Sequence, residues 1–437
     1  MPLKDFIKKN FNFFHHLATG YSAIAINIII FAFLTPYMLD TLGSEQYGIW
    51  QLVSNISMFF SMGSLGLSSA FYIEFARSKD DNEKSLKLIN TVFFTYLMVG
   101  LISFIAYIFL LINFNRFFII NANYVMQAKF AFTFSYFAFL VIFIFGFLDL
   151  IIFLHNKITT RNIVEIFKIC ANGLGSIVLI ALGFDIVAIA FLSLLTTILQ
   201  IVFYYFKAIK LQTFHLSFLY FDFEYLKKLY KSGFYFFIYS VSALIIFNTD
   251  NIIISHFMGA EYVSLYAIIF RFVTISEKFI FVITSVKMPK VSQFIAQLKY
   301  SSVLDMYKKA WLVTLALSIL VALVMSVFGL DILHLWLGDK YKFDIGLIWI
   351  FSILVVIHSL SNVTGWFLGS LNLIKNQSLI SAVEVFSNLI LSVILYQKYG
   401  LRGIALGTLI SHIVVGSWYP GIYLLKQLKL KSAEIHS

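Results

Sequence analysis

Charged residues are scarce in this sequence. Asp, Glu, Lys and Arg together make up 12% of it, against about 25% in soluble proteins. Hydrophobic residues make up 60%, and the mean hydropathy is +0.90. Charge is missing altogether from residues 21–39 and 88–115, and a helix needs about 20 apolar residues to cross a bilayer. The composition therefore predicts a membrane protein with many spans.

Cysteine is almost absent, since Cys170 is the only one and lies in an apolar run. A single cysteine can form neither an intrachain disulfide nor a cysteine zinc cluster. The sequence also lacks the glycine-rich Lys-Ser/Thr loop that holds nucleotide phosphates, a metal-ligand cluster and an arguable Ser/His/Asp arrangement. These absences favour a protein that is not an enzyme and has no cofactor, with coupling to H+ or Na+ left open.

Polar clusters that resemble turns divide the apolar runs into predicted membrane spans. These spans predict an all-α polytopic membrane protein with about twelve transmembrane helices. Their approximate bounds are 17–39, 47–73, 87–112, 127–154, 162–182, 186–207, 232–258, 262–287, 308–330, 345–371, 376–397 and 402–425.

The formal net charge of +11 comes from basic residues in short loops, which argues against a nucleic-acid-binding domain. With the N-terminus inside, the inner segments contain 23 Lys and Arg residues and the outer segments contain 6. Cytoplasmic loops retain an excess of Lys and Arg. The asymmetry therefore predicts that both termini are cytoplasmic.

The two halves of the sequence resemble each other. Residues 42–47 (LGSEQY) align with residues 258–263 (MGAEYV) at an offset of 216, and residues 182–188 (LGFDIVA) align with 399–405 (YGLRGIA) at 217. Two matches at nearly one offset predict two pseudo-symmetric six-helix lobes around a central cavity, as a parallel repeat. The predicted division is an N-terminal lobe at 1–207, a surface linker at 208–231, a C-terminal lobe at 232–425 and a basic tail at 426–437.

Three stretches carry a family resemblance: residues 42–48 (LGSEQYG), 250–259 (DNIIISHFMG) and 399–405 (YGLRGIA). In this order and spacing the chain resembles the polysaccharide-transport branch of the multidrug/oligosaccharidyl-lipid/polysaccharide exporter superfamily, which includes the O-antigen flippases. Members often carry an Asp before a Gly-Leu pair in the second span, where this chain has Ser64.

The resemblance implies a flippase that moves a lipid-linked oligosaccharide, an O-antigen or capsule-type repeat unit, across the bacterial inner membrane by alternating access. The implied partners are a polyprenyl-pyrophosphate-linked oligosaccharide, membrane lipids and other glycan-assembly membrane proteins. A multidrug or cation antiporter of the same superfamily is the alternative, and it predicts a cavity dominated by carboxylates. A membrane glycan polymerase or glycosyltransferase is a further alternative, but it needs a sizeable outer loop and the predicted outer loops are short.

Charged side chains within the spans are the first candidates for function, because inserting each one costs roughly 2.5–3.5 kcal/mol. In an antiparallel helical hairpin, residues equidistant from the turn lie at the same depth. This geometry predicts two acid–base pairs, Asp250 with Arg271 and Asp149 with Lys168. Either pair could lock its hairpin or face the cavity.

A second group of candidates lies on single helix faces. Arg271, Thr274 and Lys278 are spaced to share one face of the eighth span, which predicts a track for an anionic substrate head. Glu384 and Asn388 lie one turn apart in the eleventh span and have no obvious partner. Two histidines within spans are expected to make core hydrogen bonds: His358 and His412.

Overall fold

The computed structural model describes residues 11–60, 67, 71, 74–75, 81–155, 157–285, 291, 294–295, 297–371 and 373–434. All regular secondary structure in these residues is helical. This observation confirms the predicted all-α class. The stretch around Ser64 lies outside the described residues.

The chain divides into two compact units, residues 1–237 and 238–437. The helices of the first unit are α1 (Phe11–Phe59), α2 (Asn82–Ile112), α3 (Phe114–Phe117), α4 (Val125–Phe145), α5 (Phe147–Leu154), α6 (Ile158–Ala181) and α7 (Ile186–Leu211). Helix α8 (Phe223–Phe257) begins in the first unit and continues into the second. The predicted linker at 208–231 and the exact lobe boundaries stay a prediction.

The second unit continues with six further helices. They are α9 (Ala260–Ser285), α10 (Tyr300–Leu337), α11 (Ile345–Ser370), α12 (Ile374–Tyr399), α13 (Leu401–Ser411) and α14 (Trp418–Glu434). One π-helical turn, His412–Gly416, separates α13 from α14.

Ten segments of the described chain are long and apolar enough to cross a membrane. One of them, 19–59, covers most of the first predicted span and the start of the second. Gly43 lies between these two spans and interrupts α1 with a φ of 85°, a conformation that glycine adopts readily. Helix α9 matches the eighth predicted span and is 26 residues long, but its charged residues keep it out of the ten. The protein is therefore a multi-pass membrane protein.

Aromatic rings fill much of the core of the first unit. Tyr107 and Tyr136 stack with their centroids 4.2 Å apart, and Phe132 packs 5.3 Å from Tyr107. The hydroxyl of Tyr107 donates to Oγ1 of Thr133 at 2.8 Å, so its polar group is satisfied inside the apolar surroundings. These contacts join α2 to α4.

Carboxylates mark the beginnings of several helices. Asp185 accepts a hydrogen bond from the backbone N–H of Val187 at 2.9 Å and thereby caps α7. Asp344 caps α11 in the same way through Gly346 at 2.8 Å. Asp344 also accepts two hydrogen bonds of 2.6 Å from the Arg402 guanidinium, which holds the pKa of this carboxyl below its ordinary value.

The hairpin of α12 and α13 is packed very tightly. A Cβ atom on Gly403 would lie 2.1 Å from the backbone oxygen of Leu395, and one on Gly407 would lie 2.5 Å from the backbone nitrogen of Ser392. Small residues four positions apart allow membrane helices to approach closely. This contact sets the register between α12 and α13, which position the main polar cluster of the second unit.

Candidate functional site

Asp250 is the centre of a buried polar cluster in the second unit. Its Oδ2 accepts hydrogen bonds from the hydroxyl of Tyr266 on α9 and, at 2.9 Å, from Oγ1 of Thr408 on α13. Nδ2 of Asn388 on α12 donates to the same Thr408 oxygen at 2.8 Å. Asp250 is 3% exposed and Asn388 is fully buried. Four helices therefore contribute to one hydrogen-bonded group.

The predicted pairing of Asp250 with Arg271 is wrong. Both hydrogen bonds to Asp250 are donated by hydroxyl groups to its Oδ2. Within the described part of the chain, its Oδ1 has no hydrogen-bond partner. Arg271 lies five residues beyond Tyr266 on α9, more than one helical turn away. The physical reason is that the hairpin turns at Met258 and Gly259, so Tyr266 comes level with Asp250.

Two histidine–carboxylate pairs lie in the same unit. Nδ1 of His412, at the start of the π turn, is 2.5 Å from Oε1 of Glu384 on α12. Nδ1 of His358 on α11 is hydrogen bonded to Oε1 of Glu277 on α9. The two imidazole rings lie 5.4 Å apart between centroids. Both histidines were expected to make core hydrogen bonds, and their partners prove to be carboxylates.

The π turn fits closely around Glu384. A Cβ atom on Gly416, at the end of this turn, would lie only 2.2 Å from Oε2 of Glu384. Any larger residue at this position would displace the carboxylate from His412. Single π turns within helices are frequent at functional sites.

Arg271, Thr274 and Lys278 lie on α9, as predicted. Arg271 and Thr274 are half-buried and Lys278 is exposed. Oγ1 of Thr274 donates to the backbone oxygen of Arg271 at 2.9 Å, and Arg271 and Lys278 are close enough for their charges to repel each other. Whether these side chains face a transport cavity stays a prediction.

The first unit contains a separate charged cluster. Asp149 on α5 pairs with Arg161 on α6, with Oδ1 and Nε 2.7 Å apart. Lys168 donates to Oε1 of Gln200 at 2.8 Å, and Gln200 donates to Glu165 at 3.2 Å. The predicted pair of Asp149 with Lys168 is therefore wrong, because the chain reverses near His155 and places Arg161, rather than Lys168, opposite Asp149.

An apolar groove of about 700 Å³ lies against α10, α11 and α14 in the second unit. Its lining includes Trp311, Trp418 and the side chain of Lys308. The hydroxyls of Tyr307 and Thr364 also line it and are hydrogen bonded to each other at 3.0 Å. The groove therefore combines a long apolar wall with one cationic group.

Sequence reasoning missed most of the partners in these clusters. It named Asp250, Asp149, Lys168, Glu384 and Asn388, but assigned the wrong partner or none. The missed partners are Tyr266, Thr408, His412, Arg161 and Gln200. Among the residues with described positions, no three His, Cys, Asp or Glu side chains are grouped as metal ligands.

Residues 17–295 match the family described as "Polysaccharide biosynthesis protein", over more than half of the chain. The chain belongs to this family. The match confirms the resemblance to the polysaccharide-transport branch that the sequence motifs indicated. No curated protein matches the chain significantly.

Solved structures share the fold across nearly the whole chain. The lipid II flippase MurJ in an inward closed conformation is 17% identical, with a TM-score of 0.72, over 94% of this chain and 87% of that one. An inward-facing multidrug resistance MATE family transporter of the MOP superfamily is 15% identical, with a TM-score of 0.67, over 95% and 99%. A MOP superfamily transporter from Pyrococcus furiosus is 13% identical, with a TM-score of 0.64, over 97% and 96%. The chain therefore has the two-lobed fold of these transporters.

Proposed function

We propose that this protein is a flippase that moves a lipid-linked oligosaccharide, of the O-antigen or capsule repeat-unit type, across the bacterial inner membrane. The observation that carries the proposal is the match of residues 17–295 to the polysaccharide biosynthesis family. The fold shared with a lipid II flippase supports a substrate that has a lipid tail and a glycan head. Transport would occur by alternating access, with both termini in the cytoplasm.

The charges on α9 support an anionic substrate head. Arg271 and Lys278 are separated by two helical turns and are close enough to repel each other electrostatically. A pyrophosphate between them would relieve this repulsion, and the Arg guanidinium could bind its oxygens in a bidentate manner. Thr274 would add a hydroxyl to the same face.

The groove in the second unit supports a lipid-linked substrate. Its wall is mostly apolar and includes Trp311 and Trp418, so it could accept part of a prenyl chain. Each buried methylene group would contribute about 0.8 kcal/mol. Lys308 would then attract a phosphate at the membrane surface. Coupling of transport to H+ or Na+ remains part of the proposal, and the buried carboxylates of the second unit support it.

Reconstitution tests the proposal directly. Purified protein in liposomes should move a fluorescent polyprenyl-pyrophosphate oligosaccharide between leaflets, measured as the fraction that an added membrane-impermeant quencher can reach. Arg271→Ala with Lys278→Ala should reduce the rate at least tenfold, because two charges that bind the head are lost. Lys429→Ala is the matched control, since it removes an exposed lysine of the C-terminal helix, and it should keep the wild-type rate.

A multidrug or cation antiporter is the second candidate. The fold shared with a multidrug resistance MATE transporter favours it, as do the buried Asp250 and Glu384. Deletion of the gene separates the candidates. Accumulation of lipid-linked oligosaccharide on the cytoplasmic leaflet and loss of the surface glycan would support the flippase. An intact surface glycan with raised drug sensitivity would overturn it in favour of the antiporter.

A further inference from the structure

We propose that Glu277, His358, His412 and Glu384 form a proton-binding site that couples proton movement to conformational change in the second unit. We call these four residues the histidine–carboxylate tetrad. The inference rests on the proposed function and deepens it, since it names the coupling ion as H+ and identifies the residues that bind it. From the sequence alone the coupling ion stays open, and the histidines are expected only to make core hydrogen bonds.

The tetrad joins four elements of the second unit. Glu277 lies on α9, His358 on α11, Glu384 on α12 and His412 on the π turn. The exposed fractions of the four side chains are 15%, 12%, 5% and 9% in that order. The two imidazole rings are 5.4 Å apart, and His358 also interacts electrostatically with Glu384. The two pairs therefore form one electrostatic unit.

Each carboxylate orients its histidine. A carboxylate facing Nδ1 favours a proton on that nitrogen, which leaves Nε2 as the basic atom of the imidazole. Nε2 of His412 is buried and has no hydrogen-bond partner in the described structure. This atom is therefore available to accept a proton. Once protonated, it would need a hydrogen-bond acceptor, either a water molecule or a side chain that moves toward it.

The charge balance links protonation to burial. With both imidazoles neutral and both carboxylates ionised, the tetrad carries two negative charges in an apolar environment. Uptake of one proton by each imidazole makes the tetrad neutral overall, without breaking a covalent bond. A tetrad that is neutral overall costs less to bury than one with two negative charges, so protonation of the tetrad and the access of water to it are linked. By linkage, a change in protonation then shifts the conformational equilibrium.

Groups on α8 and α9 surround the tetrad. From α8, Tyr239 interacts electrostatically with Glu384, and Phe247 packs against His358 with centroids 4.4 Å apart. Asp250, also on α8, is bound to the hydroxyls of Tyr266 and Thr408. Two further cations lie on α9, close to Glu277 in sequence: Arg271 and Lys278. These two cations belong to the proposed substrate face, so binding of an anionic head there would lower the positive potential near Glu277.

The π turn provides a way for the pair to open. His412 and Gly416 are its first and last residues, and Gly416 lies directly against Glu384. Conversion of this turn to a regular α-helix would rotate His412 relative to Glu384. Each carboxylate of the tetrad already uses an oxygen to bind an imidazole Nδ1, and an imidazole binds a proton rather than Na+, which prefers oxygen ligands.

Transport under imposed gradients tests the tetrad. In liposomes that contain the wild-type protein, a proton gradient should accelerate movement of the fluorescent lipid-linked oligosaccharide at least fivefold, whereas a Na+ gradient at equal pH should not. His358→Gln with His412→Gln should abolish the stimulation, and so should Glu384→Gln. His334→Gln is the matched control, because His334 also faces a carboxylate, Asp339 at 3.4 Å, but this pair is more exposed than the tetrad, with side chains 36% and 93% exposed. It should retain the full response.

A second measurement needs no substrate. Hydrogen exchange of peptides covering residues 405–420, corrected for the chemical effect of pH, should differ between pH 6 and pH 8 in the wild type and not in the double histidine variant. Full stimulation by protons in the double variant would overturn the inference, and so would stimulation by Na+ alone. If no gradient produces transport, the proposed function fails. The exchange measurement then decides on the tetrad, and an equal pH response in wild type and double variant would refute it.

Discussion

Adding one methyl group to Gly403 should destabilise the second unit measurably. The new Cβ would lie 2.1 Å from the backbone oxygen of Leu395 and 2.7 Å from the backbone nitrogen of Tyr396. Ordinary contacts begin near 3.4 Å, so the first distance is roughly 1 Å too short. Backbone atoms cannot rotate away as a side chain can, so α12 and α13 must separate. Overpacking of this kind costs about 1–3 kcal/mol.

Gly369→Ala provides the matched control. Gly369 lies near the end of α11, and outside its chain neighbours and the backbone of its own helix no heavy atom of the described residues comes within 4 Å of a Cβ built on it. Both substitutions add one methyl group to a helix, and both gain some helix propensity, about 0.5–1 kcal/mol in a helix interior. The difference between the two variants therefore reports mainly the steric cost at Gly403. Gly369→Ala alone should be neutral or slightly stabilising.

Thermal unfolding of the purified protein in detergent measures this difference. For a unit of about 200 residues, 1 kcal/mol shifts Tm by about 2–4 °C. Gly403→Ala should therefore melt about 2–12 °C below Gly369→Ala. If Gly403→Ala melts at or above Gly369→Ala, the helices do not approach as closely as described, and the positions of Glu384 and Asn388 opposite α13 lose their support.

Three further predictions concern other parts of the chain. Arg402→Gln should lower the free energy of unfolding only slightly at neutral pH, since this pair is partly exposed. Because Arg402 lowers the pKa of Asp344, their ion pair stabilises the fold at pH values above the ordinary carboxyl pKa. In denaturation curves, the stability difference between Arg402→Gln and the wild type should therefore vanish as the pH falls below about 4. Asp149→Asn and Arg161→Gln should together cost less stability than the sum of their separate effects in a double-mutant cycle, and additive costs would contradict this pair. In a Cys170→Ser background, an impermeant reagent added outside should label cysteines at the outer positions only, and the reverse pattern would refute the topology. The outer positions are Ser44, Glu261 and Asp339, and the inner ones are Lys79 and Lys299.

The sequence predicted the helical class, the location of most spans and the family, because these depend on long apolar runs and short turn motifs. It did not predict the correct partners inside the hairpins. A pair of Asp250 with Arg271 requires the hairpin to be centred on residue 260.5, whereas the observed partner Tyr266 gives a centre at residue 258. An error of 2.5 residues in the centre displaces the predicted partner by five residues. At 3.6 residues per turn this places the side chain more than one turn from its target.

In the hairpin of α12 and α13, residues equidistant from the turn do meet. Three contacts between α12 and the chain that follows it are centred on residue 398, beside the turn at Gly400: Glu384 with His412, Asn388 with Thr408, and Ser392 with the backbone of Ile404. The sequence therefore contained the signal for the partner of Glu384. Finding it requires a search among all polar residues at the same distance from the turn as Glu384, including uncharged residues and histidine, and not only among Lys and Arg.

The two units use equivalent hairpins with different chemistry. In the first unit, Lys168 contacts Gln200, and Thr196 donates to Oδ1 of Asn172 at 3.1 Å, with both contacts centred on residue 184. With the repeat offset of 216, Lys168 is equivalent in sequence to Glu384, Asn172 to Asn388, and Thr196 to His412. The asparagine is common to both hairpins, whereas a lysine in one corresponds to a carboxylate in the other. The second unit therefore has an imidazole beside a carboxylate, a pair that can exchange a proton, where the first unit has a lysine beside an amide. This difference explains why the second unit, rather than the first, is the place to expect proton coupling.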